Sequence, residues 1–200
     1  MPTDIPRGRG RPRSFDPEQA VAVAQTLFHT HGYDAVSVAD VTTALGINPP
    51  SFYGAFGSKA GLYARVLDRW AGTGAIPLAD TLRPDRPVAE SLAALLAEAA
   101  RRYAASPVAA GCMVLEGTRC NDRDARETAS VFKVAAEDMI RGYVAARHPE
   151  NADRLTDFVS TTMAGLSAAA RGGHDLDRLL ATAHIASLAL AEALAGEAGG

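Results

Sequence analysis

Apolar residues recur along this chain at spacings of three and four, and strand-like alternation bounded by hairpin turns is absent. The pattern predicts an all-α protein. Val21, Ala24 and Phe28 share one face of a first helix over 16–31, with Asp16 as its cap and Pro17 at its first position. Val38, Val41 and Leu45 mark a short second helix that opens on Ser37 and closes on Gly46. Asp40 follows Ser37 by three residues, a capping-box arrangement, and Gly46 suits a left-handed helix end. Asn48 can cap a third helix with Pro49 in its first turn. Phe52 and Phe56, four apart, would bury together and leave Pro50, Ser51, Tyr53 and Gly54 outward. Ser58 caps a fourth helix that runs to about Trp70–Ala71. Residues 72–86, with Gly72, Gly74, Pro77 and Pro84, read as a loop. Helices follow over 87–105, 107–119, 122–147, 151–171 and 175–196, punctuated by Pro87, Pro107, Pro149 and the Gly172-Gly173 pair.

Two short helices joined by a tight turn over 37–59, with another helix just beyond, have the shape of a helix-turn-helix. That module places a helix in the DNA major groove. Lys59 near the N-terminus of the fourth helix, beside free backbone N–H groups, makes a natural phosphate seat. The stretch resembles the DNA-binding domain of TetR-family (TetR/AcrR-type) transcriptional regulators. The resemblance runs from Phe15 to Leu67. It rests on His31-Gly32-Tyr33, Ser37-Val38, Val41, Leu45-Gly46-Ile47, Phe52-Tyr53, Phe56 and Ser58-Lys59-Ala60-Gly61-Leu62. Beyond this first third, only length and helical character match.

The resemblance implies a helix-turn-helix domain over 15–60, preceded by an arm over 1–14. A larger helical domain over 61–200 would bind an effector and dimerise. It also implies a homodimeric repressor that binds a palindromic operator and is released by a small molecule. Tyr53 and Lys59 would contact phosphates, and positions 48–54 would face bases. Where the family often carries Lys, Gly, Thr or His outward, this chain has Pro49, Pro50 and Gly54. None of the three offers a side-chain donor to a base edge. Readout then falls on Ser51, Tyr53, Asn48 and Thr43, with Ser37 beside them; Pro49-Pro50 also serve simply to start a helix.

Arg7, Arg9, Arg11 and Arg13 alternate with Gly8, Gly10 and Pro12, a composition that favours an extended arm suited to a minor groove. The plain alternative is a solvated tail. The overall charge of −3 is unusual for a DNA binder, but residues 1–13 carry four arginines and one acid, Asp4. The acidic remainder lowers non-specific nucleic-acid binding away from the reading head. A charged N-terminus without an apolar segment after it gives no secretory signal, and no apolar run looks long enough to span a bilayer. A cytoplasmic protein without a membrane partner is expected.

The last two helices point to a second copy of the chain. Leu155, Phe158, Thr162 and Leu166 form one stripe, and Leu179, Ala183 and Leu190 another, as for a four-helix dimer interface. A buried terminal helix in a monomer is the alternative. Two reading heads about 34–36 Å apart, or a multiple of that, would read a palindrome. Candidate effector-pocket residues are Trp70, Tyr103, Met113, Glu116, Phe132, Met139, Tyr143 and Met163, each of which is also ordinary core chemistry.

Cys112 and Cys120, eight apart on one expected helix, stand about 12 Å apart along its axis, beyond the roughly 7 Å a disulfide allows. A redox-responsive regulator is the first rival reading, and a helical enzyme or binding bundle without DNA function the second. No phosphate loop, zinc spacing or nucleophile elbow is present, so no catalytic residue, metal or cofactor is expected.

Overall fold

The computed structural model describes residues 16–195. These form α1 (Pro17–His31), α2 (Val38–Leu45), α3 (Pro49–Phe56), α4 (Lys59–Thr73), α5 (Leu78–Thr81), α6 (Val88–Tyr103), α7 (Met113–Gly117), α8 (Arg123–Ala145), α9 (Ala152–Arg171) and α10 (Leu176–Ala195). A single 3-10 turn, Pro149–Asn151, leads into α9, and no strand occurs among the described residues.

The first four helices start where the sequence places their caps. Asp16 accepts the Glu18 N–H, and Ser37 and Asp40 close a full capping box. Asn48 Oδ1 accepts the Ser51 N–H at 2.9 Å, and Ser58 Oγ accepts the Gly61 N–H at 2.9 Å. Each such cap is worth about 1 kcal/mol. Gly46 ends α2 at φ 63°, a left-handed conformation that a Cβ would disfavour.

Two cores follow. The first gathers Val21, Phe28, Tyr33, Val41, Phe52, Phe56, Leu62 and Tyr63. It continues through Val66, Leu67 and Trp70 and takes in Met113, Ala125 and Ala129 from α7 and α8. A division between residues 60 and 61 therefore falls at the start of α4, which belongs by packing to the reading head. The second core surrounds α6, with Leu92, Leu95 and Leu96 meeting Ile140, Val144, Leu155, Val159, Leu166, Leu179 and Leu190.

Four expectations change. The loop over 72–86 contains the short α5. The helix expected over 107–119 shrinks to Met113–Gly117. Its first half cannot be helical because Gly111 takes φ 78°, donates its N–H to the Tyr103 carbonyl at 2.9 Å and lies against α9. A Cβ there would come within 2.9 Å of both Arg171 Cγ and Ser167 Oγ.

The expected dimer stripes also change. Leu155, Leu166, Leu179, Ala183 and Leu190 are buried in the chain's own core. The outer faces of α9 and α10 carry Phe158, Leu188 and Ile185, which are 38%, 58% and 69% exposed. Thr162 is half-buried between the two sets. Finally, α10 is long and apolar enough, by length and composition, to cross a membrane, contrary to the expectation that no run is. Its inner face, with Leu179, Ala183, Ala186 and Leu190, packs against α6 and α9.

Gly111→Ala is expected to destabilise the protein by about 1–3 kcal/mol through its left-handed backbone and close neighbours. Urea denaturation reads this directly, and an unchanged midpoint would refute the packing constraint.

Candidate nucleic-acid interface and effector cavity

The outward face of α3 follows from burial of its aromatic pair. Phe52 and Phe56 point into the head, with ring centroids 5.5 Å apart. Tyr53 then emerges 51% exposed, its ring edge-on to Phe52 at 5.3 Å. Its hydroxyl has no hydrogen-bond partner among the described residues. Asn48, Pro49, Pro50 and Gly54 are exposed beside it, Ser51 is half-buried, and Thr43 is exposed on α2. Asn48 spends its carbonyl oxygen on the cap and keeps its amide N–H groups. Ser37 is committed on both sides. Its hydroxyl accepts the Asp40 N–H at 3.1 Å and donates to the Asp40 carboxylate at 2.6 Å, so it serves first as a cap.

Lys59 is not the open ammonium that the sequence reading expects. Its Nζ donates to the carbonyls of Tyr33 at 3.1 Å and Val36 at 3.0 Å and stands 3.9 Å from the Tyr33 ring centroid. The side chain staples the α1–α2 loop to α4. Any phosphate seat there is left to the backbone N–H groups of the first turn. Residues 16–60 hold four acids, Asp16, Glu18, Asp34 and Asp40, and this one lysine. The next cation, Arg65, pairs with Glu18 at 2.5 Å. Arg7, Arg9, Arg11 and Arg13 lie outside the described residues.

A polar seam joins the head to the α7–α8 turn and to α9. The Tyr33 hydroxyl donates to Asp122 Oδ2 at 2.6 Å, and the Asp34 carboxylate accepts the Asn121 N–H at 3.0 Å. Burial, then the Asp122 hydrogen bond, pushes the Tyr33 phenol well above its usual range. The same bond holds the Asp122 carboxyl below the usual carboxylate range. A ring nitrogen of His29 lies 3.2 Å from the Gly111 carbonyl, and burial lowers the pKa of that imidazole. The Arg171 guanidinium donates to the His29 carbonyl at 3.2 Å and the Ala110 carbonyl at 3.1 Å, and pairs with Glu116 at 3.5 Å. None of His29, Asp34, Asn121, Asp122 or Arg171 is legible as a seam from sequence, because the partners are brought together only by folding.

Next to this seam lies a cavity of about 270 Å3. Trp70, Tyr103, Phe132, Met139 and Met163 line it as the sequence reading expects. Met113, Glu116 and Tyr143 do not. Met113 is buried in the first core, where its carbonyl accepts the Tyr63 hydroxyl. Glu116 faces Arg171 in the seam. The Tyr143 hydroxyl donates to the Arg83 carbonyl at 2.8 Å, under the Arg147 guanidinium.

Residues missed from sequence are Lys133, Glu137 and Ser160, a polar cluster in the wall, and Cys112. Cys112 and Cys120 are free thiols, and burial raises the pKa of each. Trp70 touches both regions: it lines the cavity, and its ring packs edge-on to His29 at 4.7 Å.

The family model "Bacterial regulatory proteins, tetR family" matches residues 20–66. The HTH-type transcriptional repressor BdcR of Escherichia coli is 59% identical over 181 residues, covering 90% of this chain and 92% of that protein. The chain belongs to the TetR family. It is thus a DNA-binding transcriptional regulator and not an enzyme. The HTH-type transcriptional repressor ComR of Escherichia coli is 30% identical, covering 88% of this chain and 89% of the relative. Among solved structures, a cysteine mutant of the TetR-family regulator CifR, complexed with 26bp double-strand operator DNA, is 30% identical with a TM-score of 0.80. The match covers 90% of this chain and 99% of that one. In this TetR-family head, the family's helix-turn-helix is carried by α2 and α3, and α4 closes its core.

Lys59→Met is expected to lower stability by about 1.5–3 kcal/mol, the worth of hydrogen bonds from a charged donor. Thermal denaturation without DNA checks it; a melting point equal to that of the unaltered protein would restore Lys59 as a free phosphate ligand.

Proposed function

We propose that the protein is a homodimeric repressor that holds a palindromic operator and is released when a small molecule occupies the cavity. The observation that carries this reading is α3, a rigid capped helix whose outer face is free. Tyr53 offers a phenol for a phosphate or base. Asn48 and Ser51 supply the remaining side-chain donors near the base edges, with Thr43 on α2. Pro49, Pro50 and Gly54 contribute shape and contact with thymine methyls rather than hydrogen bonds. BdcR and ComR, both named as repressors, support the sign of regulation.

Electrostatics assigns the arginine arm a large share of affinity. The reading head has no uncommitted lysine or arginine among residues 16–60, so Arg7, Arg9, Arg11 and Arg13 would supply most of the phosphate neutralisation. They would enter the adjacent minor groove. A second copy would cover Phe158, Ile185 and Leu188, and the exposed Gly165 and Ala168 would let the helices approach closely. The site of action is the bacterial cytoplasm, where the chromosome lies.

Release follows from position. An effector that presses on Trp70 reaches His29 and the seam that fixes the head. It shifts binding only if it prefers the head orientation that DNA does not. The raised thiol pKa values of Cys112 and Cys120 disfavour the thiolates that a redox sensor uses.

Gel shifts against the chain's own upstream DNA test the assignment. Specific binding should weaken steeply with salt. Replacing Arg7, Arg9, Arg11 and Arg13 by Ala should flatten the logarithmic salt slope by about seven units for the dimer, at roughly 0.9 for each phosphate that the two arms leave unneutralised. An unaltered slope removes the arm from the interface. Ile185→Asp should yield a folded monomer by light scattering with at least a tenfold loss of operator affinity, roughly the effect of a charge in a hydrophobic interface; a persisting dimer moves the interface elsewhere.

A further inference from the structure

The cavity also carries information about what it accepts. Its apolar wall includes Trp70, Leu115, Phe132, Ile140 and Met163. Two charged side chains line it, Lys133 and Glu137, and they are paired with each other. The same Glu137 oxygen that receives the lysine also accepts the Ser160 hydroxyl. At the other side stand the Tyr103 hydroxyl and the Cys112 thiol. Lys133, Glu137 and Ser160 therefore satisfy one another, whereas the buried Trp70 indole N–H has no hydrogen-bond partner among the described residues. A ligand that brings a net charge would meet no free counter-charge and would lose its hydration.

Size narrows the class further. A cavity of roughly 150 Å3 takes benzene, with six non-hydrogen atoms, so 270 Å3 scales to about eleven. We propose that the effector is an uncharged, predominantly apolar molecule of about this size, and that the Lys133–Glu137–Ser160 cluster enforces the exclusion of ions. This rests on the reading of the cavity as the effector site.

The neutral rule has a built-in signature. Breaking the pair leaves one bare charge in the wall, and selectivity then follows the sign of the survivor. Glu137→Gln leaves Lys133 to welcome an anion, and Lys133→Met leaves Glu137 to welcome a cation. A pair that serves only to stabilise the helix bundle would change the melting temperature without reordering ligands by charge.

Three probes of similar length separate the cases: 2-nonanone, nonanoate and nonylammonium. Trp70, the chain's single tryptophan, sits in the wall, so its emission reports occupancy in the intact dimer. The ketone is expected to bind and both ions to bind at least about a hundredfold more weakly. Glu137→Gln should strengthen nonanoate by at least tenfold, and Lys133→Met should do the same for nonylammonium, roughly the scale of one unmasked charge. Either ion matching the ketone in the unaltered protein, or no probe binding at all, overturns the neutral rule. Operator release in a parallel gel shift judges the effector reading separately. Ketone binding without release keeps the rule and rejects the effector role. Release by an ion rejects the rule and keeps the role.

Discussion

Burial of one face of α4, from Leu62 to Trp70, is the constraint on which the rest of the structure depends. Leu62, Tyr63, Val66 and Leu67 close the core of the reading head, and Trp70, one turn on, forms part of the cavity wall. Helical hydrogen bonding makes these two ends one rigid body. The head cannot therefore be packed without also placing a wall of the cavity. The first core reinforces the coupling by recruiting Met113, Ala125 and Ala129 from beyond the head. A short physical path thus joins the core under α3, closed by one end of α4, to the cavity walled by the other.

Scarcity of free charge shapes the DNA-facing side. Lys59 holds a loop, Arg65 holds Glu18, and Ser37 holds its own helix start. Few free cations therefore remain on the head to draw nucleic acid from a distance.

The legible part of the fold was the part with local causes. Ser37, Asp40, Gly46, Asn48 and Ser58 act on backbone groups within three residues or so, and the helices they bound appear as the pattern predicts. The helix expected over 107–119 failed for a non-local reason: Gly111 must pass between α6 and α9, and periodicity carries no trace of that. The cavity was half legible. Large apolar residues such as Phe132 and Met163 were visible as candidates, but Glu116 and Tyr143 found partners elsewhere. Lys133 and Glu137 stand one helical turn apart, a spacing that in sequence is no different from an ordinary exposed pair.

The sequence by itself determined the all-α class, the helix-turn-helix and its caps, the aromatic pair that orients α3, and the charge asymmetry of the arm. These depend on spacings of a few residues, which a chain carries in any conformation. Only the tertiary structure decided which face of α9 and α10 is core and which is free. An apolar stripe is equally satisfied by its own chain or by a second copy. The tertiary structure also decided the fate of Lys59. An ammonium seeks the nearest unsatisfied oxygens, and those belong to Tyr33 and Val36, more than twenty residues away in the chain.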